Sequence, residues 1–337
     1  MAQRGWGAPS AFPEEDTGLL MNVSVSAVVC TRNRPNCLGK AIGSLVDQTL
    51  PKGRYEIIVV DNASTDNTKA VVEGFQSENL RYIYEPVLGL SRARNTGWQN
   101  ARGEYVAFID DDAMACPEWL ERIVTAFETV KPRPGSVGGK VVPIWGAARP
   151  AWLPKDMEPA LTIVDWSDEP ILLTQGHQFL AGANVAYPRA ILETVKGFSV
   201  NLGRKGTSLL SSEEYLIERY IRRSGLGVYY DPRILVEHHI HAQRLTVRWL
   251  CRRYFWQGAS FQVINLLEGS GGRSRRYYLA QAIRNLMGFV ASRADLFSVL
   301  SPADSEPRVR RKCTAYGRLG AIWYQFQIGI GKVKKEY

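Results

Sequence analysis

Along the first half of the chain, short runs that are apolar at nearly every position alternate with stretches where apolar residues recur every three or four. VSVSAVVC (23–30), EIIVV (56–60), LRYIYE (80–85) and EYVAFI (104–109) are β-branched or aromatic runs with the length of buried strands. Between them Pro35 opens a segment with Leu38, Ile42, Leu45 and Val46 on one face; Val72 and Phe75 mark a second helix and residues 91–100 a third. Strands buried on both faces and alternating with helices predict an α/β fold with a doubly wound, mostly parallel sheet. Further helices are expected from Pro117 and over residues 212–223.

The regularity breaks after VGGKVV (137–142). Residues 143–178 are rich in Pro and Trp, too polar and broken for a core element, and predict a mobile substrate loop. From Gln243 onward the text reads as Arg- and aromatic-rich helices separated by GSGGRSRR (269–276) and SPADSEP (301–307). The expected organisation is a flexible tail over 1–20, a domain over 21–240 and a basic helical extension over 241–337. Charge divides at the same place, for residues 241–337 hold 17 Lys and Arg against five Asp and Glu, whereas residues 1–240 hold 25 against 28. The five cysteines are odd in number, widely spaced and without a CxxC pair, which fits neither a disulfide framework nor a zinc site and points to a reducing cytoplasm. The first 20 residues have no apolar core of a secretory signal, and no uncharged apolar window of about 18 residues exists, so no membrane span is expected.

In a doubly wound sheet, ligands gather beyond the C-terminal strand ends. FIDDDA (108–113) lies there, and three adjacent carboxylates repel one another unless a cation sits among them. As a solvated loop the run would need only one Asp to cap the next helix. As hard oxygen donors, Asp110, Asp111 and Asp112 suit Mn²⁺ or Mg²⁺ completed by substrate phosphates. Asp61 closes the second strand, either as the residue that shapes the following turn or as a hydrogen-bond partner of a nucleobase or sugar. Arg92 and Arg94 stand at the entrance of a short helix, where they could meet a phosphate or simply face solvent. Glu213 and Glu214 open the helix over 212–223, where they favour its dipole or serve as a general base. His238 and His239 are either a surface pair or supply an imidazole to the cation. No Walker A or GxGxxG sequence is present, which leaves P-loop hydrolysis and dinucleotide redox chemistry without a motif.

CTRNRP (30–35), IIVVDNASTDNT (57–68), GLSRARNTG (89–97), EYVAFIDDDA (104–113) followed by PEWL, GANVAYPR (182–189), the Glu-Glu helix and YYDP followed by His238 occur in one order and spacing. Together they resemble the family 2 inverting glycosyltransferases of the GT-A fold, over residues 23–240. The resemblance implies that Asp61 contacts the base, with Thr31 and Arg94 near the nucleotide. It implies that Asp110, Asp111 and Asp112 are the DXD motif, the first facing the ribose and the last holding the metal, joined by His238. Ala183 and Asn184 would flank the donor sugar and acceptor. The family's Glu-Asp pair falls on Glu213 and Glu214, with Glu in place of Asp at the second position and either carboxylate able to serve as base.

The implied activity is metal-dependent, inverting transfer from a nucleotide-diphospho-sugar, with uridine as the default base. The acceptor would be a saccharide or lipid-linked saccharide, as in polysaccharide or glycoconjugate synthesis; a soluble small-molecule acceptor is the alternative. The basic extension also raises nucleic-acid binding, but no recognised module accompanies it and none is expected. RLTVRWLCRRYFWQGASF (244–261) and RLGAIWYQFQIGIGKVKK (318–335) mix aromatics with Arg and Lys as interfacial helices do, which points to peripheral attachment at the inner, anionic membrane face. The same helices are equally suited to packing on the catalytic domain or on a second copy of the chain as a homodimer.

Overall fold

The computed structural model describes residues 23–268 and 274–333, so the expected tail over 1–20 lies outside the described residues. Strands and helices alternate as the periodicity predicts: β1 (Val25–Thr31), α1 (Pro35–Val46), β2 (Tyr55–Asp61), α2 (Thr68–Glu73), β3 (Leu80–Tyr84), α3 (Leu90–Gln99) and β4 (Tyr105–Asp110). The chain continues through β5 (Ala113–Ala115), α4 (Trp119–Thr129), β6 (Ser136–Trp145), β7 (Ile171–Leu172), β8 (Val185–Pro188), α5 (Arg189–Val195), α6 (Glu213–Arg223) and the long β9 (Val228–Ile240). Four helices complete it: α7 (Val247–Glu268), α8 (Arg275–Ala291), α9 (Arg293–Leu300) and α10 (Glu306–Gly329).

One sheet runs in the order β3-β2-β1-β4-β8-β6-β9-β5, with β7 also on β9. The long pairings, β1 with β2 and β4, β2 with β3 and β6 with β9, are parallel, while the short ones made by β5, β7 and β8 are antiparallel. Alternate residues of β1, β2 and β4 feed opposite faces. Val29, Ile57 and Ile109 pack with Leu38, Ile42 and Ile123 on one side; Val28, Val60 and Phe108 pack with Ala93, Ile191 and Ile221 on the other. Burial on both faces is why these strands carry no polar alternation.

Residues 143–178, expected as a mobile substrate loop, contribute Pro159, Ala160, Thr162, Gly176, His177 and Gln178 to the wall of a cavity, but part of the stretch is core. Leu153, Met157, Leu161 and Ile163 are buried, and they form a core with Ile240, Leu250, Cys251, Val309 and Cys313. The segment is therefore the packing layer between the sheet domain and the helical extension. Its apolar residues recur at four-residue spacing around a 3₁₀ turn (Lys155–Leu161), a pattern that the surrounding Pro and Trp obscure. The 244–261 stretch, expected either at a membrane surface or packed on protein, is partly inside: Leu250, Cys251, Ala259 and Ser260 are buried, while Arg248, Arg252 and Phe261 are exposed. Phe255 and Trp256 of α7 meet Trp323 of α10 with ring centroids 5.6 Å apart. No helix among the described residues is long and apolar enough to cross a membrane.

The α7–α10 contact depends on glycine. A Cβ on Gly258 would lie 1.9 Å from the Gly317 carbonyl oxygen, and one on Gly320 would lie 1.8 Å from that of Phe255. Two backbones cannot approach so closely over any larger residue. Gly288 of α8, by contrast, has nothing within 4 Å of that position. Gly320→Ala is therefore expected to lower stability by about 1–3 kcal/mol through forced separation of the helices. Gly288→Ala should raise it by about 0.5–1 kcal/mol through helix propensity. Urea melts of the two variants check both signs.

Candidate active site

Parallel register aligns the strand ends that carry the candidate residues: Cys30 lies beside Asp110 and Thr31 beside Asp61. The chain then turns at Asp111 and Asp112, and β5 pairs antiparallel with β9 so that Ala113 sits opposite His238. The His239 N–H donates to the Asp112 carbonyl at 2.8 Å. This pairing delivers the His238 imidazole to the acidic turn, with Nε2 3.1 Å from Asp112 Oδ1. Asp110, Asp112 and His238 each offer a ligand atom within 4.8 Å of the others. Two carboxylates and an imidazole converging at that spacing fit Mn²⁺ or Mg²⁺.

The acidic turn is balanced by cations. Arg34 Nη1 donates to Asp111 Oδ1 at 2.9 Å and to Asp112 Oδ2 at 3.1 Å, and buried Arg244 reaches Asp112 Oδ2 at 3.2 Å. Burial alone would push the Asp112 carboxyl up, but the His238 bond and the charges of Arg244 and Arg34 outweigh it and hold the group well below the usual carboxylate range. Asp111 goes the other way. Burial raises it, and Asp112 adds to the rise against the opposing pull of Arg34 and the Thr31 hydroxyl. That hydroxyl donates to Asp111 Oδ2 at 2.7 Å, so Thr31 and Asp111 support each other behind the metal cluster.

Glu213 and Glu214 begin α6 and meet one guanidinium. Arg94 Nη1 donates to Glu213 Oε1 at 2.8 Å and to Glu214 Oε1 at 2.7 Å, while Nη2 reaches Asp110 Oδ1 and the Gly182 carbonyl at 3.4 and 3.3 Å. A helical step of two residues turns side chains to opposite sides, so Arg92 and Arg94 do not act as a pair. Arg94, expected near the nucleotide, lines the cavity and bridges both glutamates to Asp110. Burial pushes the Glu213 carboxyl up and Glu214 pushes it further, with Arg94 opposing both. Glu213 is fully buried and its Oε2 has no hydrogen-bond partner, whereas the Glu214 side chain keeps 17% of its exposure. Gly182 makes room for this arrangement, because a Cβ there would lie 1.9 Å from Glu214 Oε1.

Two expected contacts are placed differently. Asn184 is fully buried. Its amide donates to the carbonyls of Lys140 and Ile234 at 3.0 and 2.7 Å and accepts from Trp119 Nε1 at 2.8 Å, so its side chain ties β6, β9 and α4 together instead of facing a donor. Neighbouring Ala183 does line the cavity. Asp61 accepts from the Ser64 N–H at 2.9 Å and from the Tyr82 hydroxyl at 2.7 Å, the turn-shaping arrangement, and Asn62 beside it faces the cavity. Arg34, Arg244, Glu218 and the α7 residues of the site escape sequence reading. Of these only Arg34, inside CTRNRP, stands in a recognisable motif.

The two groups share one cavity of about 560 Å³, lined by Asp110, Asp111, Asp112, Glu213 and Glu214, with a wall contributed by Tyr254, Gln257 and Phe261 of α7. That volume suits a nucleotide-sized ligand. Buried Glu218 accepts from the Leu180 N–H at 2.7 Å. Burial pushes its carboxyl up to about 8, against that bond and Arg222. The folded chain thus holds this proton more tightly than the unfolded chain does. The resulting stability is present in full at pH below the ordinary carboxylate range and is lost as pH rises through about 8. Glu218→Gln keeps the acceptor oxygen and removes the ionisation, so its melting temperature should exceed that of the unsubstituted chain at pH 9 by more than at pH 5. Equal differences at the two pH values would refute this account.

With the geometry established, comparison places the chain among known proteins. The family model described as "Glycosyl transferase family 2" matches residues 26–196, half of the chain. The chain is 28% identical over 262 residues to the glucosyl-dolichyl phosphate glucuronosyltransferase of Haloferax volcanii, covering 76% of this chain and 82% of that one. It is 27% identical over 273 residues to the succinoglycan biosynthesis protein ExoM of Rhizobium meliloti, covering 80% and 83%. Among solved structures, the mannosyltransferase PcManGT of Pyrobaculum calidifontis, in complex with GDP-Man and Mn²⁺, superposes with a TM-score of 0.57 at 19% identity over 89% of this chain and 86% of that one. The fold is therefore GT-A, and the chain belongs to glycosyl transferase family 2 and is a glycosyltransferase.

Proposed function

We propose that the chain transfers a sugar from a nucleotide-diphospho-sugar, by default a UDP-sugar, to a hydroxyl of a saccharide or lipid-linked saccharide, with inversion at the anomeric carbon. The observation that carries this reading is the one cavity lined by both Asp110 and Asp112, which converge with His238 beside it, and Glu214. The acidic cluster suits the diphosphate through a cation, and Glu214 suits the incoming hydroxyl. The printed names of the relatives, which refer to a dolichyl phosphate-linked sugar and to succinoglycan, support a lipid-linked or polysaccharide acceptor.

Asp110, Asp112 and His238 would hold Mn²⁺ or Mg²⁺. When bound, the ion supplies a Lewis acid that stabilises negative charge on the departing nucleotide. Glu214 takes the role of base because its side chain keeps 17% of its exposure against 3% for Glu213, although both line the cavity and share Arg94. Glu214 Oε1 is held by Arg94, leaving Oε2 to accept the proton of the acceptor hydroxyl. Glu213 then acts through Arg94, keeping the guanidinium beneath Glu214. Thr31 and Arg34 order the acidic turn so that Asp112 stays ionised.

Mn²⁺-dependent donor hydrolysis across a panel of nucleotide sugars tests the class. Asp112→Asn should abolish turnover and metal-dependent donor binding, and full activity in chelator would sink the metal assignment. Glu214→Gln should lower transfer by about 10²–10⁴-fold with donor affinity nearly intact. A larger loss in Glu213→Gln would move the base by one residue.

A membrane-facing surface accords with a lipid-linked acceptor. Ile283, Met287 and Val290 of α8 recur at helical spacing and are half or more exposed, and Phe297 and Leu300 of α9 extend them at 73% and 75%. Arg276, Arg284 and Arg293 are exposed on the same two helices, where only Asp295 is acidic, and it is paired to Arg318. An apolar stripe with a basic rim complements an anionic bilayer. The chain should co-sediment with vesicles containing phosphatidylglycerol and not with neutral ones, and Met287→Asp with Phe297→Asp should release it. Absence of sedimentation together with a dimer dissolved by the same substitutions would assign the face to a second copy.

A further inference from the structure

Three cavity arginines, Arg32, Arg204 and Arg253, have no carboxylate partner among the described residues, and two of them, Arg204 and Arg253, belong to the segment before α6 and to α7. Arg34 and Arg94, which also line the cavity, are each ion-paired to two carboxylates within about a hydrogen bond's length. Arg253 of α7 donates Nη1 to the Ser211 hydroxyl at 2.8 Å and has no carboxylate within 4 Å among the described residues. Arg204, on the segment between α5 and α6, lines the same cavity with no carboxylate or hydrogen-bond partner for its side chain among those residues. Lys205 extends the patch at its exposed rim.

The position of this patch narrows what it can bind. Ser211, which holds Arg253, stands three residues before Glu214 in the same segment, so Arg253 adjoins the glutamates. Tyr215 and Phe261, packed edge to face at 6.4 Å between centroids, supply an apolar wall of the same cavity. Burial, and after it the like charge of Arg204, pulls the Arg253 guanidinium down to about 10, so the two cations oppose each other. Such a pair costs free energy until an anion bridges it, and guanidinium forks match phosphate oxygens.

We propose that Arg204 and Arg253, with Lys205 at the rim, form a phosphate subsite next to Glu214, built from residues other than Asp110, Asp112 and His238. This rests on the transferase reading above and deepens it: the group bound there would be the phosphate of an acceptor glycosyl phosphate, whose sugar hydroxyl then lies at the base. A phosphate of the donor has the same chemistry, and the test separates the two sources.

The test is binding, by calorimetry on the full chain, with inorganic phosphate, glucose 1-phosphate and methyl glucoside as probes in chelator, and with UDP and GDP in Mn²⁺. The unsubstituted chain should bind inorganic phosphate and glucose 1-phosphate, and methyl glucoside far more weakly. Arg253→Gln and Arg204→Gln should each weaken both phosphates by about tenfold or more, and Arg253→Lys by less. Unchanged nucleotide affinity in these variants assigns the subsite to the acceptor; a parallel loss of nucleotide assigns it to the donor. Phosphate affinity that is unchanged in both Gln variants, or no greater than that for methyl glucoside, overturns the subsite. Failure of the unsubstituted chain to bind either nucleotide would count against the transferase reading alone, because the phosphate titrations contain no metal and no nucleotide.

Discussion

Six carboxylates, Asp110, Asp111, Asp112, Glu213, Glu214 and Glu218, converge on one partly desolvated cavity, and the rest of the site is arranged around the cost of keeping them there. An isolated buried carboxylate loses several kcal/mol of hydration, so each must find a cation or take up a proton. Both answers occur. Arg34, Arg244 and His238 hold Asp112 in its ionised form, whereas burial and like charges push Asp111 and Glu213 towards the protonated one. One acidic turn thus contains a strongly anionic ligand and, next to it, a carboxyl that carries less of the charge.

Arg94 is the hinge of this balance. Its guanidinium touches the glutamates through Nη1 and Asp110 through Nη2, so the Glu213–Glu214 pair and the acidic turn share one rigid, permanently charged spacer. The planar fork fixes the distance between the two in a way that a lysine could not. Phe198 lies under it at 5.5 Å, and the missing side chain of Gly182 leaves space for Glu214 beside it. The segments that carry the family resemblance, GLSRARNTG, GANVAYPR and the Glu-Glu helix, therefore meet at one guanidinium.

The parts of this arrangement that depend on local periodicity were legible in the sequence: β1, β2, β4, the helices between them, and the placement of the acidic turn at a strand end. Long-range geometry was not. Whether Arg94 meets a phosphate or two glutamates depends on the phase of α3 against α6, 119 residues away. Asn184 sits in a stretch that reads as a ligand loop, yet β8 turns its amide inward, where it satisfies two carbonyls that the register shift in β6 leaves without ladder partners. The buried residues of 143–178 were hidden because their four-residue spacing is interrupted by Pro150, Pro154 and Pro159, residues that signal loops even where the chain is packed.

The least readable part of the chain also does the most to distinguish this site. The sheet domain alone supplies the acidic turn and the glutamates, but α7 closes the cavity beside them with Arg253, Tyr254, Gln257 and Phe261. Gln257 Nε2 donates to the Ser212 hydroxyl at 2.9 Å, and Arg253 holds Ser211, so the same helix also fixes the residues at the start of α6. Ser212 itself adopts a left-handed backbone with φ of 71°, a conformation that a non-glycine residue keeps only when its surroundings enforce it. The extension therefore sets both the orientation of Glu214 and the chemistry of the cavity wall beside it. Positions 211–214 and α7 form one structural unit, so a substitution on the helix acts on the glutamates as well as on the wall.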